Sequence, residues 1–294
     1  MTVVSERPSV VVGIATHNRA AELPKAILSA FAQSHRPLRV AVIDDASTDS
    51  TPDLRHDFPA VSWERCEPGQ GYVRARNRMM LGADEDYYVS LDDDSWFIQG
   101  DEVALAVDFL ERSPRTGAIA FDIISPDQPR KALRRGRNAI ALFIGCGHVL
   151  RLSVVRELGG YSEFPGKYGA EEKDFCLRLI DAGYDIVKFD GVHVWHDKSL
   201  VARDIPRQHR SGVCNDFTLT IRRVPTVLLL PTMAWKLVWH LVFAVRHGLL
   251  LACLQGMHDF GVVWTDVWRS RRPVSHASIA KFRELSKAPR KLAG

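Results

Sequence analysis

Apolar and polar positions change period repeatedly along the chain as far as Trp195. Residues 9–15 form an unbroken apolar run, the pattern of a strand buried on both faces, and Leu23, Ile27, Ala30 and Phe31 then recur at helical spacing. Residues 38–43 predict a second strand, 73–81 a helix, 87–91 a third strand, 102–110 a helix stopped at Ser113-Pro114, and 118–124 a further strand. Short β-branched runs alternating with helical patterns predict an α/β fold whose parallel strands are joined by crossover helices. Residues 125–136, rich in Pro, Arg and Lys, read as a loop. A second unit follows, with an apolar strand over 139–144 and a turn at Gly145-Cys146-Gly147. Its helix over 171–182 pairs Phe175 with Leu179 and Cys176 with Ile180, sets Asp174 beside Arg178 on the solvent side, and ends at Gly183.

Beyond Asp216 the pattern becomes rich in Leu, Val, Trp and Phe, but Pro231, Lys236, His240, Arg246 and His247 interrupt it. Its longest apolar stretch, 237–245 with His240 counted as neutral, falls short of the ~20 residues that span a bilayer. Trp235, Trp239, Trp264 and Trp268 beside Lys and Arg fit helices lying on a membrane surface over residues 226–270; packing on the rest of the chain, or on a second copy in a homodimer, is the alternative.

With 294 residues, 46% hydrophobic and 25% charged, the chain can bury one large core with a smaller appendage. The net charge of +4 is only mildly basic, and Lys and Arg gather over 130–137 and after Arg246, which fits phosphates or an anionic membrane better than a nucleic-acid groove. Five cysteines without a Cys-x-x-Cys pair read as free thiols of a reducing compartment, and no export signal precedes the first strand. The expected location is cytoplasmic, or peripheral on the inner face of a membrane.

Two acidic clusters close predicted strands: Asp44-Asp45 after residues 38–43, and Asp92-Asp93-Asp94 after residues 87–91. Carboxylates this close repel and raise one another's pKa unless a cation lies between them, so they point to a divalent metal. In open α/β sheets ligands bind outside the carboxyl ends of the strands, where both clusters fall.

Thr16-His17-Asn18-Arg19, Asp44-Asp45-Ala46-Ser47-Thr48-Asp49, Ala75-Arg76-Asn77, Leu91-Asp92-Asp93-Asp94, Glu171-Glu172-Lys173-Asp174 and His193-Val194-Trp195-His196 come in one order. Over about residues 8 to 200 that order resembles the inverting glycosyltransferases of family 2, and the C-terminal part more loosely resembles bacterial rhamnosyltransferase-like members. The resemblance implies a GT-A fold, Rossmann-like with a mostly parallel central sheet flanked by helices, and here a C-terminal helical extension. With the change of character at Asp216, the expected division is a catalytic domain over 1–215, with a nucleotide-sugar half at about 1–124 and an acceptor half at about 138–215, and an extension over 216–294.

The resemblance also implies roles. Thr16, Asn18, Arg19, Asp45, Arg76, Asn77, Asp92 and Asp93 would bind the donor, with Asp45 reading the N3–H of a pyrimidine and Asp44 bracing the turn. Asp45 as a mere turn cap, and Arg76 on a solvated face, are the bland readings. Asp92, Asp94 and His196 would hold Mn2+ or Mg2+, with Asp93 a spare because three consecutive acids leave the register ambiguous. Glu172 would be the general base and Glu171 the runner-up, although both acids also suit a helix N-terminus. Gly145, Cys146, Gly147 and Trp195 would meet the acceptor; a simple hairpin turn is the alternative for the glycines. Arg130, Lys131, Arg134, Arg135 and Arg137 would close over the donor diphosphate or meet a lipid-linked phosphate acceptor; a charged surface loop is the alternative.

The expected activity is metal-dependent, inverting, non-processive transfer from a UDP-sugar or dTDP-sugar to a saccharide or lipid-linked acceptor in surface polysaccharide assembly of the cell envelope. A sugar-phosphate nucleotidyltransferase is the rival, disfavoured because Gly13-Ile14-Ala15-Thr16-His17-Asn18 replaces a Gly-x-Gly-Thr-Arg loop. An inactive nucleotide-sugar binding module is disfavoured by the intact Asp92, Asp94, Glu172 and His196. Processive synthases usually carry Gln-x-x-Arg-Trp, which Gln208-His209-Arg210-Ser211 does not match.

Overall fold

Alternate side chains of an extended strand point to opposite faces, and in the first strand both faces are buried: Val10, Val12 and Ile14 enter one core and Val11 the other. In this computed structural model, which describes residues 7–126, 136–197 and 204–291, that strand lies inside a mixed sheet, third from one edge. The elements run β1 (Val10–Thr16), α1 (Leu23–Phe31), β2 (Leu38–Asp44), a 3-10 turn (Thr51–Asp53), α2 (Leu54–Asp57), β3 (Ser62–Arg65), α3 (Tyr72–Leu81), β4 (Tyr87–Asp92), β5 (Ser95–Phe97), α4 (Glu102–Arg112) and β6 (Thr116–Ile124). They continue as β7 (Gly136–Ala139), β8 (His148–Arg151), α5 (Leu152–Leu158), α6 (Glu171–Asp181), β9 (Asp185–His196), α7 (Ile205–Arg223), α8 (Thr226–Arg246), α9 (Leu250–Arg269), α10 (His276–Lys287) and β10 (Arg290–Lys291).

The strand order is β10-β7-β9-β6-β8-β4-β1-β2-β3, with β5 paired to β9. Strands β1, β2, β3, β4, β6 and β9 point the same way and β8 runs against them between β4 and β6. The expected α/β class with a mostly parallel sheet and C-terminal helices is thus observed. Thr16 lies opposite Asp44 and Ala15 opposite Asp92, so the ends of β1, β2 and β4 are level and both acidic clusters emerge along one edge.

Four expectations are corrected. The run 139–144 is not a strand: pairing stops at Ala139, and Ile140–Ile144 is irregular. Ile140, Ala141 and Phe143 are buried while Leu142 and Ile144 are exposed, so an apolar segment shows a strand-like alternation although only the Ile140 N–H still reaches β9, at Ile186 O, 2.9 Å. Asp174 and Arg178 do pair, at 2.8 Å, but Asp174 is buried and Arg178 half-buried rather than on the solvent side, and Arg223 of α7 closes on the same carboxylate at 2.5 Å. The expected boundary at 215/216 falls inside the continuous helix α7. Finally, α8 passes unbroken through Pro231, Lys236 and His240; at 21 residues it is the one helix, among the described residues, long and apolar enough to cross a membrane. Lys236 and His240 turn inward to Asp216 of α7, and so do not interrupt the outer face.

All five cysteines are free and buried. Arg130, Lys131, Arg134 and Arg135 lie outside the described residues; Arg137, on β7, stacks over Phe109 and Phe189 instead.

Candidate functional site

The edge of the sheet is built from loops that hold one another. Asp44 accepts the Ser47 N–H at 3.0 Å and the Arg65 guanidinium at 2.6 Å, bracing the turn after β2. Asp45 accepts the N–H groups of Gln70 and Gly71 at 2.6 and 2.8 Å, which fixes the approach to α3. Asn18 adopts a left-handed backbone (φ 55°), and its side-chain oxygen accepts the Thr48 N–H at 2.7 Å. Asn18, expected at the donor, thus joins the β1 and β2 loops through this oxygen.

The second cluster has a different character. Asp92 Oδ1 lies 2.5 Å from Arg76 Nη2, and Asp92 Oδ2 lies 3.9 Å from His196 Nε2. Asp94 Oδ1 is 3.2 Å from the same Nε2, and Asp93 Oδ1 is 3.8 Å from Arg19 Nε. Residues about a hundred positions apart meet because β5 pairs antiparallel with the end of β9, setting Ser95 opposite His196. Burial, reinforced by Asp92 and Asp94 and opposed by Arg19, pushes the Asp93 carboxyl up to about 7. Two carboxylates and an imidazole nitrogen on one spot are a donor set that fits a hard divalent cation such as Mg2+ or Mn2+. Cys146 Sγ sits 3.4 Å from His196 Nδ1, on the ring side away from Asp94, and burial holds it as a thiol. The donor atoms of Asp92, Cys146 and His196 lie within 4.8 Å of one another.

Arg76 connects this cluster to the two glutamates. It is 6% exposed, contacts Asp92 with one nitrogen, and places the other 3.8 Å from Glu172 Oε1. Ala170, left-handed at φ 87°, makes the turn into α6, and a non-glycine residue in that conformation is the kind of local strain found at functional sites. Glu171 accepts the Tyr72 hydroxyl at 2.7 Å and is buried. Glu172 instead lines a cavity of about 370 Å³ together with Leu142, Ile144, Gly145, Tyr168, Lys173, Asn215, Asp216 and Leu219. Burial, then repulsion from Glu171, pushes its carboxyl up to about 8 against the pull of Arg76. At Gly145 a Cβ would meet Glu172 Oε1 at 2.7 Å and Arg76 Nη1 at 3.1 Å, so a side chain here would push these two groups aside.

Several of the candidate residues have partners within the protein. Cys146 packs on His196 and does not line the cavity. Trp195, next to His196 on β9, points to the opposite face and stacks on Trp96, with centroids 5.9 Å apart. Gly147 packs against Ile123 and Val194. Both ends of the Asn77 amide are taken by the backbone of Tyr161, at 2.7 and 2.8 Å, so Asn77 ties α3 to the segment after α5. Thr16 is buried at the end of β1. Tyr72, Asn215 and Asp216 were not legible as site residues; the only hint was a polar Asn-Asp pair at 215–216 amid apolar positions.

A mostly parallel sheet with clustered acids and an imidazole along its carboxyl edge defines an α/β enzyme of the GT-A class. The profile of Glycosyl transferase family 2 matches residues 11–159, and that of Glycosyl transferase family group 2 matches residues 129–268. The chain belongs to glycosyl transferase family 2. Solved structures agree in fold. TarS 1–349 from S. aureus in complex with UDP is similar at 15% identity and TM-score 0.63, over 95% of this chain and 89% of that one. A longer S. aureus TarS chain is similar at 14% identity and TM-score 0.56 over 70% of this chain, which spans only 39% of that chain's length. The mannosyltransferase PcManGT from Pyrobaculum calidifontis, in complex with GDP-Man and Mn2+, is 18% identical with TM-score 0.60, over 96% and 84% of the two chains. GalNAc-T7 with UDP, GalNAc and Mn2+ is 15% identical with TM-score 0.63, over 76% of this chain and 49% of that one. No curated protein sequence matches the chain.

Proposed function

We propose that this glycosyltransferase moves one sugar from a nucleoside-diphosphate sugar to a hydroxyl of a saccharide or lipid-linked acceptor, with inversion at the sugar carbon. The observation that carries the reading is that a single buried guanidinium, Arg76, touches Asp92 of the acidic cluster and lies beside Glu172 at the cavity. Donor and acceptor chemistry are thereby held on two sides of one rigid group. Complexes of TarS with UDP-GlcNAc and of PcManGT with GDP-Man support a nucleotide-sugar donor.

Asp92, Asp94 and His196 would hold a divalent cation, which neutralises charge on the departing diphosphate when bound. The Mn2+ in the PcManGT and GalNAc-T7 structures supports that assignment. Glu172 takes the proton of the acceptor hydroxyl as its oxygen attacks the sugar carbon opposite the leaving group. The carbon–oxygen bond to the diphosphate breaks and its electron pair leaves with the nucleoside diphosphate. Glu171, held by Tyr72, keeps the α6 terminus in place. Arg76 keeps Asp92 paired and favours the ionised form of Glu172.

Glu172→Gln is expected to keep donor binding and to lower transfer about 10²- to 10⁴-fold, measured as product formation beside calorimetric donor affinity. Unchanged turnover would move the base elsewhere.

A further inference from the structure

The outer face of α8 has no ordinary reason to exist on a protein that meets only water. Its inner seam, Leu229, Met233, Lys236, His240 and Ala244, recurs at helical spacing and packs on α7 and its neighbours. The opposite stripe exposes Val227, Leu230, Trp235, Val238, Val242 and Val245, with Trp235 69% and Leu230 80% accessible. The two titratable side chains within the helix body both turn inward: Lys236 pairs with Asp216, and His240 Nε2 lies 3.2 Å from the same carboxylate. The outward stripe is thereby cleared of charge over a helix about 30 Å long. Exposed apolar faces of this extent mark a docking surface rather than ordinary surface composition.

Charge decides what docks there. Residues 204–291 contain fourteen Lys and Arg against five Asp and Glu, a net +9, while the whole chain is +4, so the rest of the chain is −5. Arg246 and His247 close the end of α8, and Arg269 ends α9 with Arg271 and Arg272 just beyond it, where Trp264 and Trp268 stay exposed. A second copy meeting this face through the same face would set two +9 units against each other. An anionic lipid surface complements both features, taking apolar side chains into its acyl boundary and basic ones among its headgroups. The seam on α7 also argues for lying rather than crossing, because leaving it would expose Asp216, Lys236 and His240 to hydrocarbon.

We propose that α8, with the adjoining ends of α9, seats the protein on an anionic bilayer as an interfacial helix. The consequence for the site is geometric: α7 supplies Asn215, Asp216 and Leu219 to the cavity wall and anchors α8 through Asp216, so one helix separates the candidate acceptor cavity from the lipid.

Flotation of the full chain with vesicles of phosphatidylcholine alone or with phosphatidylglycerol tests this without donor or turnover, and so independently of the glycosyl-transfer reading. Co-flotation with the anionic vesicles is expected, weakening at high salt. The double change Trp235→Asp and Val238→Asp should lower vesicle partitioning at least about ten-fold with an unchanged circular dichroism spectrum. Arg246→Glu should remove part of the salt-sensitive component. Equal flotation of the double variant would overturn the proposal. So would failure of the unmodified chain to float, whether it elutes as a monomer or as a dimer that the double variant dissociates, the latter assigning the face to a second copy.

Discussion

Arg76 carries more of this site than any other single residue. Its sequence context, one of three arginines at alternate positions 74, 76 and 78, says little, since such a row equally suits a solvated helix face. The fold separates them: Arg74 and Arg78 make exposed pairs with Glu163 and Glu64, while Arg76 is buried between Asp92 and Glu172. Because the guanidinium lowers the Glu172 pKa, Arg76→Gln should move the acid limb of the pH profile of kcat/KM to higher pH. A profile that keeps its position while falling in amplitude would mean that Arg76 acts only on the donor side. The acids themselves were legible from position, since carboxylates closing two parallel strands must lie along one edge of the sheet. The partners of Asn77 and Trp195 were not, because short motifs name residues and leave open which face of a strand or helix they occupy.

Among elements, α7 is the one that the pattern of the sequence does not place. A polar-to-apolar shift near 216 resembles a domain boundary, yet the helix continues through it and its middle reaches into the cavity wall. Asn215 is buried there and organises the loop leading to α6: its amide oxygen accepts the Gly166 N–H at 2.7 Å, and its nitrogen lies 2.9, 3.0 and 2.8 Å from the carbonyls of Gly166, Tyr168 and Gly169. Removing it leaves buried backbone groups without partners. Asn215→Ala should lower stability by about 2 kcal/mol in chemical denaturation and raise the acceptor KM, because Tyr168 and Gly169 line the cavity. Short, strongly periodic elements such as α1 and α6 were read nearly to the residue; the segment Ile140–Ile144 was not, because its alternation comes from packing beneath the cavity rather than from strand pairing.

Across the whole molecule, charge and stability are linked through the site. Glu172 titrates at about 8 in the fold, above the ordinary glutamate value of 4.5. The folded state therefore binds more protons than the unfolded chain between those values, and this residue's effect on stability becomes unfavourable as pH rises through that window. Glu172→Gln removes the titration, so its melting temperature should gain on that of the parent chain from pH 5 towards pH 8. A constant difference across that range would place Glu172 in a wetter, less perturbed setting. Asp174 shows the opposite sign: Arg178 and Arg223 hold it below the usual carboxylate range despite its burial, so the stability it contributes is lost on acidification.

By itself the sequence determined the alternation of the main strands and helices as far as β6, the acids at the strand ends and the family that orders them, because period, turn chemistry and motif spacing are local properties of a chain. Only the tertiary structure decided that His196 returns to the Asp92–Asp94 cluster through β5, that Arg76 joins this cluster to Glu172, and that Lys236 and His240 leave the face of α8 uncharged. Each depends on contacts between residues tens to a hundred positions apart, which sheet register and helix packing set and local periodicity does not encode.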